Sequence, residues 1–180
     1  MDYRDAIQRD AETGAAQLFA AHGAMLWNTA LKMCRNAADA EDLTLRTIEH
    51  AVDKIGQYNP AQPIFPWLCG ILTNLYRMDL RGKGRNALDF MAELPDCSDV
   101  RPDPAEVLSR ESDAHAVHAA MDEIPEQCKI LLVLRYFDEL TVPQIASCLG
   151  IPEGSVKRRI HEAKAALRNR LLRTVGGKEA

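Results

Sequence analysis

The stretch that decides the fold of the C-terminal part is residues 131–167, which read LLVLRYFDELTVPQIASCLGIPEGSVKRRIHEAKAAL. Thr141 and Gln144 have the spacing of a capping box, in which each side chain can bond the backbone N–H of the other at a helix start. Gly150 follows the short helix that this cap would begin, and a longer helix is predicted after Pro152. A short helix, a turn containing glycine and a longer helix together predict a helix-turn-helix.

The longer helix, predicted to run to about residue 172, has one apolar and one basic side. Its apolar residues recur at spacings of three and four: Val156, Ile160, Ala163, Leu167 and Leu171. Because a recognition helix enters the major groove N-terminus first, Lys157, Arg158 and His161 are predicted to reach base edges. Phosphate contacts, which position the domain without reading sequence, are predicted for Arg135, Arg159, Lys164 and Arg168.

Helical periodicity also predicts two helices near the N-terminus. The first covers roughly residues 13–35, with an apolar stripe of Leu18, Phe19, Leu26, Ala30 and Met33. The second starts at Asn36 or Asp39 and ends at Gly56, with a buried face of Leu45, Ile48, Val52 and Ile55. A different face of the second helix carries Asp42, Arg46, Glu49 and Asp53. That charged face is either a solvated surface or a docking surface for a protein partner.

A third helix is predicted around Pro66, which suits a first turn because its missing N–H would be unpaired there. The predicted inward residues are Leu68, Ile71, Leu72 and Leu75, and the opposite side carries Asn74, Arg77 and Arg81. Aromatic residues stand nearby: Tyr58, Phe65, Trp67 and Tyr76. Cations that follow phosphates and rings that stack bases are what single-stranded nucleic acid requires. The alternative is that these rings belong to the core.

Charge is distributed unevenly along the chain of 180 residues, whose net charge is −4. The segments 57–88 and 141–180 carry +3 and +5, whereas 89–113 carries −6 together with three prolines. We therefore expect an all-α protein of two small domains, 1–88 and 114–180, joined by an acidic linker at 89–113. The small net charge conceals two basic blocks, so it does not argue against nucleic acid.

Several protein classes are disfavoured by composition. No apolar run approaches the roughly 18–20 residues of a membrane span, and residues 1–5 do not resemble a signal peptide. We expect a cytoplasmic protein without membrane insertion. The five cysteines have neither zinc-site nor redox-motif spacing, so reduced thiols that mostly fill the core are expected. His115 and His118 could share a helix face and bind a metal, but no third ligand can be named, so neither metal nor cofactor is predicted.

The order of these parts resembles a known family. Residues 131–167 look like region 4 of the sigma-70 family, most of all in its extracytoplasmic-function (ECF, group 4) members. The tract Ala40-Glu41-Asp42-Leu43, followed by Pro66-Trp67-Leu68 and Asn74-Leu75, resembles region 2 of the same group. The two matches occur in family order and cover about 130 residues. The resemblance implies a non-enzymatic factor that directs transcription initiation by bacterial RNA polymerase.

The resemblance also implies partners and roles. Region 2 would dock on core RNA polymerase and capture unstacked bases of the −10 element, region 4 would read the −35 element as duplex, and an anti-sigma factor would control both. The expected core-polymerase contacts are Asp42, Arg46 and Glu49. The expected −10 contacts are Tyr58, Asn74, Arg77 and Arg81. The expected −35 contacts are Arg135, Ser155, Lys157, Arg158, Arg159, His161 and Lys164.

The sequence departs from the family pattern at several positions. Leu45 and Arg46 stand where the family usually shows a glutamine and an acid, and Ile48 stands where a phenylalanine is common. The acid usual four positions after Asn74 is replaced by methionine, with Asp79 one step later. These departures are expected to alter polymerase docking and the choice of −10 base.

Two other functions remain compatible with the sequence. A helix-turn-helix regulator that does not dock on polymerase would bind duplex DNA as a dimer and ignore a melted strand. A metal-dependent enzyme would rest on His115 and His118 alone, without paired carboxylates, a phosphate loop or a nucleophile–base pair.

Overall fold

The computed structural model describes residues 3–83 and 112–176, and within these ranges the chain forms helices and turns with no strand. The helices are α1 (Tyr3–Arg9), α2 (Ala11–Cys34), α3 (Ala37–Asp53), α4 (Ile64–Gly82), α5 (Ser112–Glu123), α6 (Glu126–Leu132), α7 (Val142–Leu149) and α8 (Glu153–Gly176). A 3₁₀ turn at Ile55–Gln57 follows α3, and a π-helical turn at Val133–Phe137 extends α6. The all-α prediction is confirmed. The predicted linker 89–113 lies outside the described residues except for its last two, which begin α5.

Helix α1 was not predicted, because seven residues carry too short a pattern to stand out from a loop. It folds back on α2, where Ile7 is buried. A Cβ at Gly14 would lie only 2.5 Å from the Ile7 side chain and 2.7 Å from its Cα. Gly14 therefore allows α1 to pack directly against the α2 backbone.

Helices α2 and α3 form an antiparallel hairpin that begins and ends at capped residues. Arg35 adopts a left-handed conformation (φ 58°) at the end of α2, and the Asn36 side chain accepts the Asp39 N–H at 3.0 Å to begin α3. Two buried threonines on α3 satisfy their hydroxyls within the helix: Thr44 donates to the Ala40 carbonyl and Thr47 to the Leu43 carbonyl, both at 2.7 Å.

Two residues predicted for the core are exposed. Phe19 on α2 is 45% exposed and Leu45 on α3 is 47% exposed, so the predicted stripes of both helices were wrong at these positions. The core face of α3 is rotated, because the short polar residues Thr44 and Thr47 take the buried positions with their hydroxyls bonded internally. Periodicity counts threonine as polar, which placed the buried face one step away from where it lies.

Helix α4 crosses the hairpin and fills the core of the N-terminal half. All four predicted inward residues are buried: Leu68, Ile71, Leu72 and Leu75. Pro63 precedes the helix and Pro66 stands in its first turn, as predicted.

The C-terminal half has the predicted helix-turn-helix. Gln144 accepts the Thr141 backbone N–H at 2.8 Å at the start of α7, and Gly150 ends α7 with φ 66°. On α8, Val156 and Ala163 are fully buried, and the remaining residues of the predicted stripe are half-buried.

The two halves pack on each other, an arrangement that the prediction of two separate domains did not include. Helix α4 of the first half lies against α7 of the second, and buried side chains from both halves form one continuous core.

Candidate nucleic-acid and protein interfaces

The turn between α7 and α8 sets the direction of the candidate recognition helix. Gly150 makes the left-handed step, which a side chain would strain, and its N–H donates to the Ala146 carbonyl. Leu149 and Ile151 on either side are buried and fix the turn to the core. The first turns of α8 therefore project from the domain with their apolar side inward.

Most basic residues predicted for α8 are exposed. Lys157, Arg158 and His161 are exposed on its first two turns, and Ser155 is half-buried. Arg158 forms an ion pair with Glu162 one turn later, with an N–O distance of 2.6 Å. The structure thus brings together the three residues predicted to reach bases, one of them held by a neighbouring carboxylate.

Arg159 and Arg135 are placed differently from the prediction. Arg159 is only 2% exposed, since it lies on the buried side of α8, so in this arrangement its guanidinium does not face DNA. Arg135 is half-buried and donates to the Leu140 carbonyl at 2.8 Å, which ties down the turn before α7. Alternating exposure within a basic run follows from the 3.6-residue period, and that run offered no further signal to separate these residues.

Tyr136 was not predicted as a surface residue. It is 51% exposed, and the Lys164 ammonium lies 5.8 Å from its ring centroid. An aromatic residue beside an arginine in an apolar run was the available signal, but periodicity could not tell which side it faces.

The candidate −10 residues lie on and beside α4. Asn74 and Arg81 are exposed and Arg77 is half-buried. Tyr58 is only 7% exposed: its hydroxyl donates to the Gln62 carbonyl, and its ring packs against Trp67 with centroids 5.3 Å apart. Tyr58 therefore supports the loop before α4, and in this arrangement its ring is not open for stacking on a base.

A cavity of about 530 Å³ lies between this loop, α4 and α7. Its walls carry Asn74, Trp67 and Lys54 from the first half and Gln144 and Ser147 from the second. One cation, side-chain amides, a hydroxyl and an indole are groups that can contact a nucleotide. The sequence did not indicate that α7 contributes a wall of this cavity.

The three candidate polymerase contacts on α3 have different surroundings. Asp42 and Glu49 are exposed. Arg46 binds both oxygens of Asp79 on α4, at 3.0 and 3.1 Å, and also Asp42 at 3.1 Å. The hydrogen bonds from Asp79, and then those from Asp42, raise the pKa of Arg46. Arg46 is thus engaged in joining α3 to α4.

An apolar groove lies beside this charged face and was not predicted. Phe19, Trp27 and Leu45 line it together with Gly23 and Ala24, over a volume of about 360 Å³. The exposure of the three large side chains is between 36 and 47%. Exposed apolar residues gathered in one place are typical of a protein-binding surface.

The described cysteines behave as core residues. Cys34, Cys69, Cys128 and Cys148 are free thiols, and the last three are buried. Burial raises the pKa of Cys148 to about 12 and that of Cys34 to about 11. These thiols are therefore protonated at neutral pH and weakly nucleophilic.

Within the described ranges no group of three or more potential metal ligands comes together. The side chains of His115 and His118 lie outside the described residues. No helix among the described residues is both long enough and apolar enough to cross a bilayer.

Comparison with known families matches both halves of the chain. The family model for Sigma-70 region 2 matches residues 18–86, and that for Sigma-70 region 4 matches residues 114–167. The chain belongs to the sigma-70 family. Region 2 thus comprises α2, α3 and α4, while region 4 comprises α5 to α8 and includes the helix-turn-helix.

Similar curated proteins carry sigma-factor names. The probable RNA polymerase sigma factor RfaY of Xanthomonas campestris pv. campestris is 30% identical over 79% of this chain and 36% of its own length. The ECF RNA polymerase sigma factor SigE of Mycolicibacterium smegmatis is 28% identical over 87% of this chain and 61% of its own. The chain thus spans about a third and three fifths of these two relatives.

The fold also occurs in a solved sigma-factor structure. The sigma factor RpoE of Bartonella quintana, in complex with the anti-sigma factor NepR, superposes with a TM-score of 0.63 and 22% identity. The match covers 89% of this chain and 96% of that one. Regions 2 and 4 therefore share their overall fold with that sigma factor.

Proposed function

We propose that this chain is an ECF-type sigma factor that binds core RNA polymerase and directs transcription initiation at promoters with −10 and −35 elements. The observation that carries the proposal is the exposed basic start of α8, with Lys157, Arg158 and His161 on one surface of a region 4 helix-turn-helix. Region 2 on the same chain supplies the second reader, and two linked readers raise each other's effective concentration. The chain acts in the cytoplasm and has no catalytic activity of its own.

The proposed −35 contacts are the exposed residues at the start of α8, with Lys164 and Ser155 beside them. Arg135 and Arg159 support this surface from behind in the described arrangement, since one ties the preceding turn and the other is buried. The proposed −10 contacts are Asn74, Arg77 and Arg81 on α4, with Tyr58 holding the adjacent loop.

The proposed protein partners are core polymerase and an anti-sigma factor. The exposed acids Asp42 and Glu49 on α3 support polymerase docking by region 2. The apolar groove of Phe19, Trp27 and Leu45 adds surface that a protein partner can bury. Sigma factors of the same fold bound to anti-sigma factors support control of this kind.

The double variant Lys157→Ala/Arg158→Ala tests the proposal. We expect it to abolish binding to −35 duplex DNA, because a lost bidentate base contact costs about 1–3 kcal/mol and each lost phosphate contact lowers the salt dependence. Binding to core polymerase should stay unchanged. The matched control Arg9→Ala/Arg173→Ala removes two exposed basic residues away from this surface and should bind DNA normally.

Two results would count against the assignment. Equal loss of core binding in the Lys157→Ala/Arg158→Ala variant would contradict the division of roles between regions 2 and 4. Duplex binding without any complex with core polymerase would instead favour a helix-turn-helix regulator that acts alone.

A further inference from the structure

Regions 2 and 4 are held together by specific polar contacts as well as by a common core. Thr29 on α2 donates to Asp138 after the π-helical turn, with a distance of 2.7 Å between the oxygens. The Tyr76 hydroxyl on α4 lies 2.8 Å from a carboxylate oxygen of Glu126 at the start of α6. The thiol of Cys148 on α7 contacts the Pro66 carbonyl of α4 at 2.8 Å. These contacts connect three parts of region 4 to region 2.

The closest approach in this interface is made by a glycine. A Cβ at Gly70 on α4 would lie 3.3 Å from both the Cα and the carbonyl oxygen of Cys148. These are backbone atoms, so no side-chain rotation could make room for a larger residue. Gly70 therefore permits α4 and α7 to touch.

This contact has opposite consequences for the two proposed DNA surfaces. Asn74, one turn after Gly70, faces the cavity whose other wall is Gln144 and Ser147 of α7. The approach of a DNA strand to Asn74 is thus restricted by region 4. Lys157 and Arg158 remain exposed, so the −35 surface is open.

The contact also keeps the two surfaces too close for one promoter. Asn74 and Cys148 line the same cavity, and nine residues separate Cys148 from Lys157, a reach of at most about 32 Å. Elements centred roughly 25 base pairs apart lie on the order of 85 Å apart along duplex DNA. The packed chain therefore cannot hold both elements at once.

We propose that this packed state, called here the closed state, is an autoinhibited form that binds −35 duplex but does not engage the −10 strand, and that the Gly70–Cys148 contact is the point at which it opens. The proposal rests on the proposed −10 and −35 roles of the two regions. Opening is compatible with chain length, because 28 residues separate Lys83 from Ser112 and that number can extend to roughly 90–100 Å.

The full-length Gly70→Cys variant tests the proposal in two redox states. Its new Cβ would lie close enough to Cys148 for a disulfide, which needs Cβ atoms about 3.5–4.5 Å apart. Oxidised glutathione joins the two thiols through one S–S bond and leaves as two molecules of reduced glutathione. Peptide mapping verifies that position 70 is paired with Cys148. The control is Gly82→Cys, on the same helix, where a Cβ meets no atom within 4 Å.

The readouts are binding to a −35 duplex and run-off transcription with core polymerase from a promoter with both elements. The oxidised Gly70→Cys variant should bind the duplex like the wild type yet lose at least tenfold in transcription, and dithiothreitol should restore it. The control should not respond to oxidation. Equal transcription by the oxidised and reduced variants would overturn the closed-state proposal while leaving the proposed function intact. No transcription from the wild type with core polymerase would overturn both.

Small-angle scattering provides a second measurement if Gly70→Cys does not fold. The wild-type chain alone should have a radius of gyration near the value of about 16 Å for a compact body of 180 residues. The milder variant Gly70→Ala, in which one methyl group meets the Cys148 backbone, should have a larger radius. Equal radii for the two chains would overturn the assignment of Gly70 as the opening point.

Discussion

Arg46 tests whether the charged face of α3 serves the fold or the polymerase. Its guanidinium makes two hydrogen bonds to Asp79 on α4 and one to Asp42 on its own helix. The substitution Arg46→Ala removes all three. If Arg46 mainly joins α3 to α4, the loss appears as reduced stability; if it contacts polymerase, the loss appears as reduced binding.

The expected magnitude follows from geometry and exposure. The Arg46–Asp79 pair is bidentate and about one third exposed on each side, which places it near the upper end for such pairs, about 1 kcal/mol. The Arg46–Asp42 pair is a single contact within one helix, and Asp42 is 66% exposed, so about 0.3–0.5 kcal/mol is expected. The substitution Arg46→Ala should therefore lower the free energy of unfolding by roughly 1–1.5 kcal/mol.

Urea unfolding followed by circular dichroism measures this loss. With a slope of about 2 kcal/mol per molar urea, the midpoint should fall by roughly 0.5–0.8 M. Double-mutant cycles with Asp79→Ala and Asp42→Ala separate the two pairs, and the coupling should be larger for Asp79. The reversed pair Arg46→Asp/Asp79→Arg should recover part of the lost stability.

Two outcomes would refute this reasoning. A coupling energy for Asp42 that equals or exceeds that for Asp79 would show that the contact between the helices contributes little. Unchanged stability of Arg46→Ala together with weakened binding to core polymerase would show that Arg46 is a docking residue.

Three further predictions concern stability. Burial raises the pKa of Asp138 in the folded chain above its model value of 3.8, so the wild type loses stability as pH rises from about 3.8 through that raised pKa, by up to about 1.4 kcal/mol per unit. Asp138→Asn keeps an oxygen acceptor but carries no charge, so its stability relative to the wild type should grow over that pH range and then level off; a difference independent of pH would contradict this. Glu126→Ala leaves the ammonium of Lys129, which is 4% exposed, without its carboxylate and should cost about 2–3 kcal/mol, whereas Lys129→Met should cost less than about 1 kcal/mol in thermal unfolding. Gly14→Ala should displace α1 and lose the burial of Ile7, about 1.5–3 kcal/mol, seen as faster proteolysis of α1; equal proteolysis of variant and wild type would mean that α1 tolerates the added methyl group.

The two departures from the family pattern that the sequence showed at Arg46 and Asp79 form one ion pair in the structure. Each looked like an isolated change, because 33 positions separate them in the chain. Local spacing cannot relate residues on different helices, so only the packing of α3 on α4 shows that the two charges compensate each other.

Local patterns were sufficient wherever backbone chemistry decides the structure. The Thr141–Gln144 cap, the glycine turn at Gly150 and the inward side of α4 all follow from interactions within a few residues. Such interactions are the same in every tertiary context, which is why the helix-turn-helix and the all-α class could be predicted from the chain alone.

Tertiary packing decided which side chains of an element are buried and which surfaces remain open. It placed Arg159 inside, Leu45 outside and α7 against α4 through Gly70. Each of these depends on contacts between residues far apart in the chain, and an amphipathic pattern fixes only that one side of a helix is apolar. The sequence by itself thus determined the helices, their caps and the two basic blocks, while the structure alone decided how regions 2 and 4 meet, because the free energy of that contact comes from shape and burial across both halves.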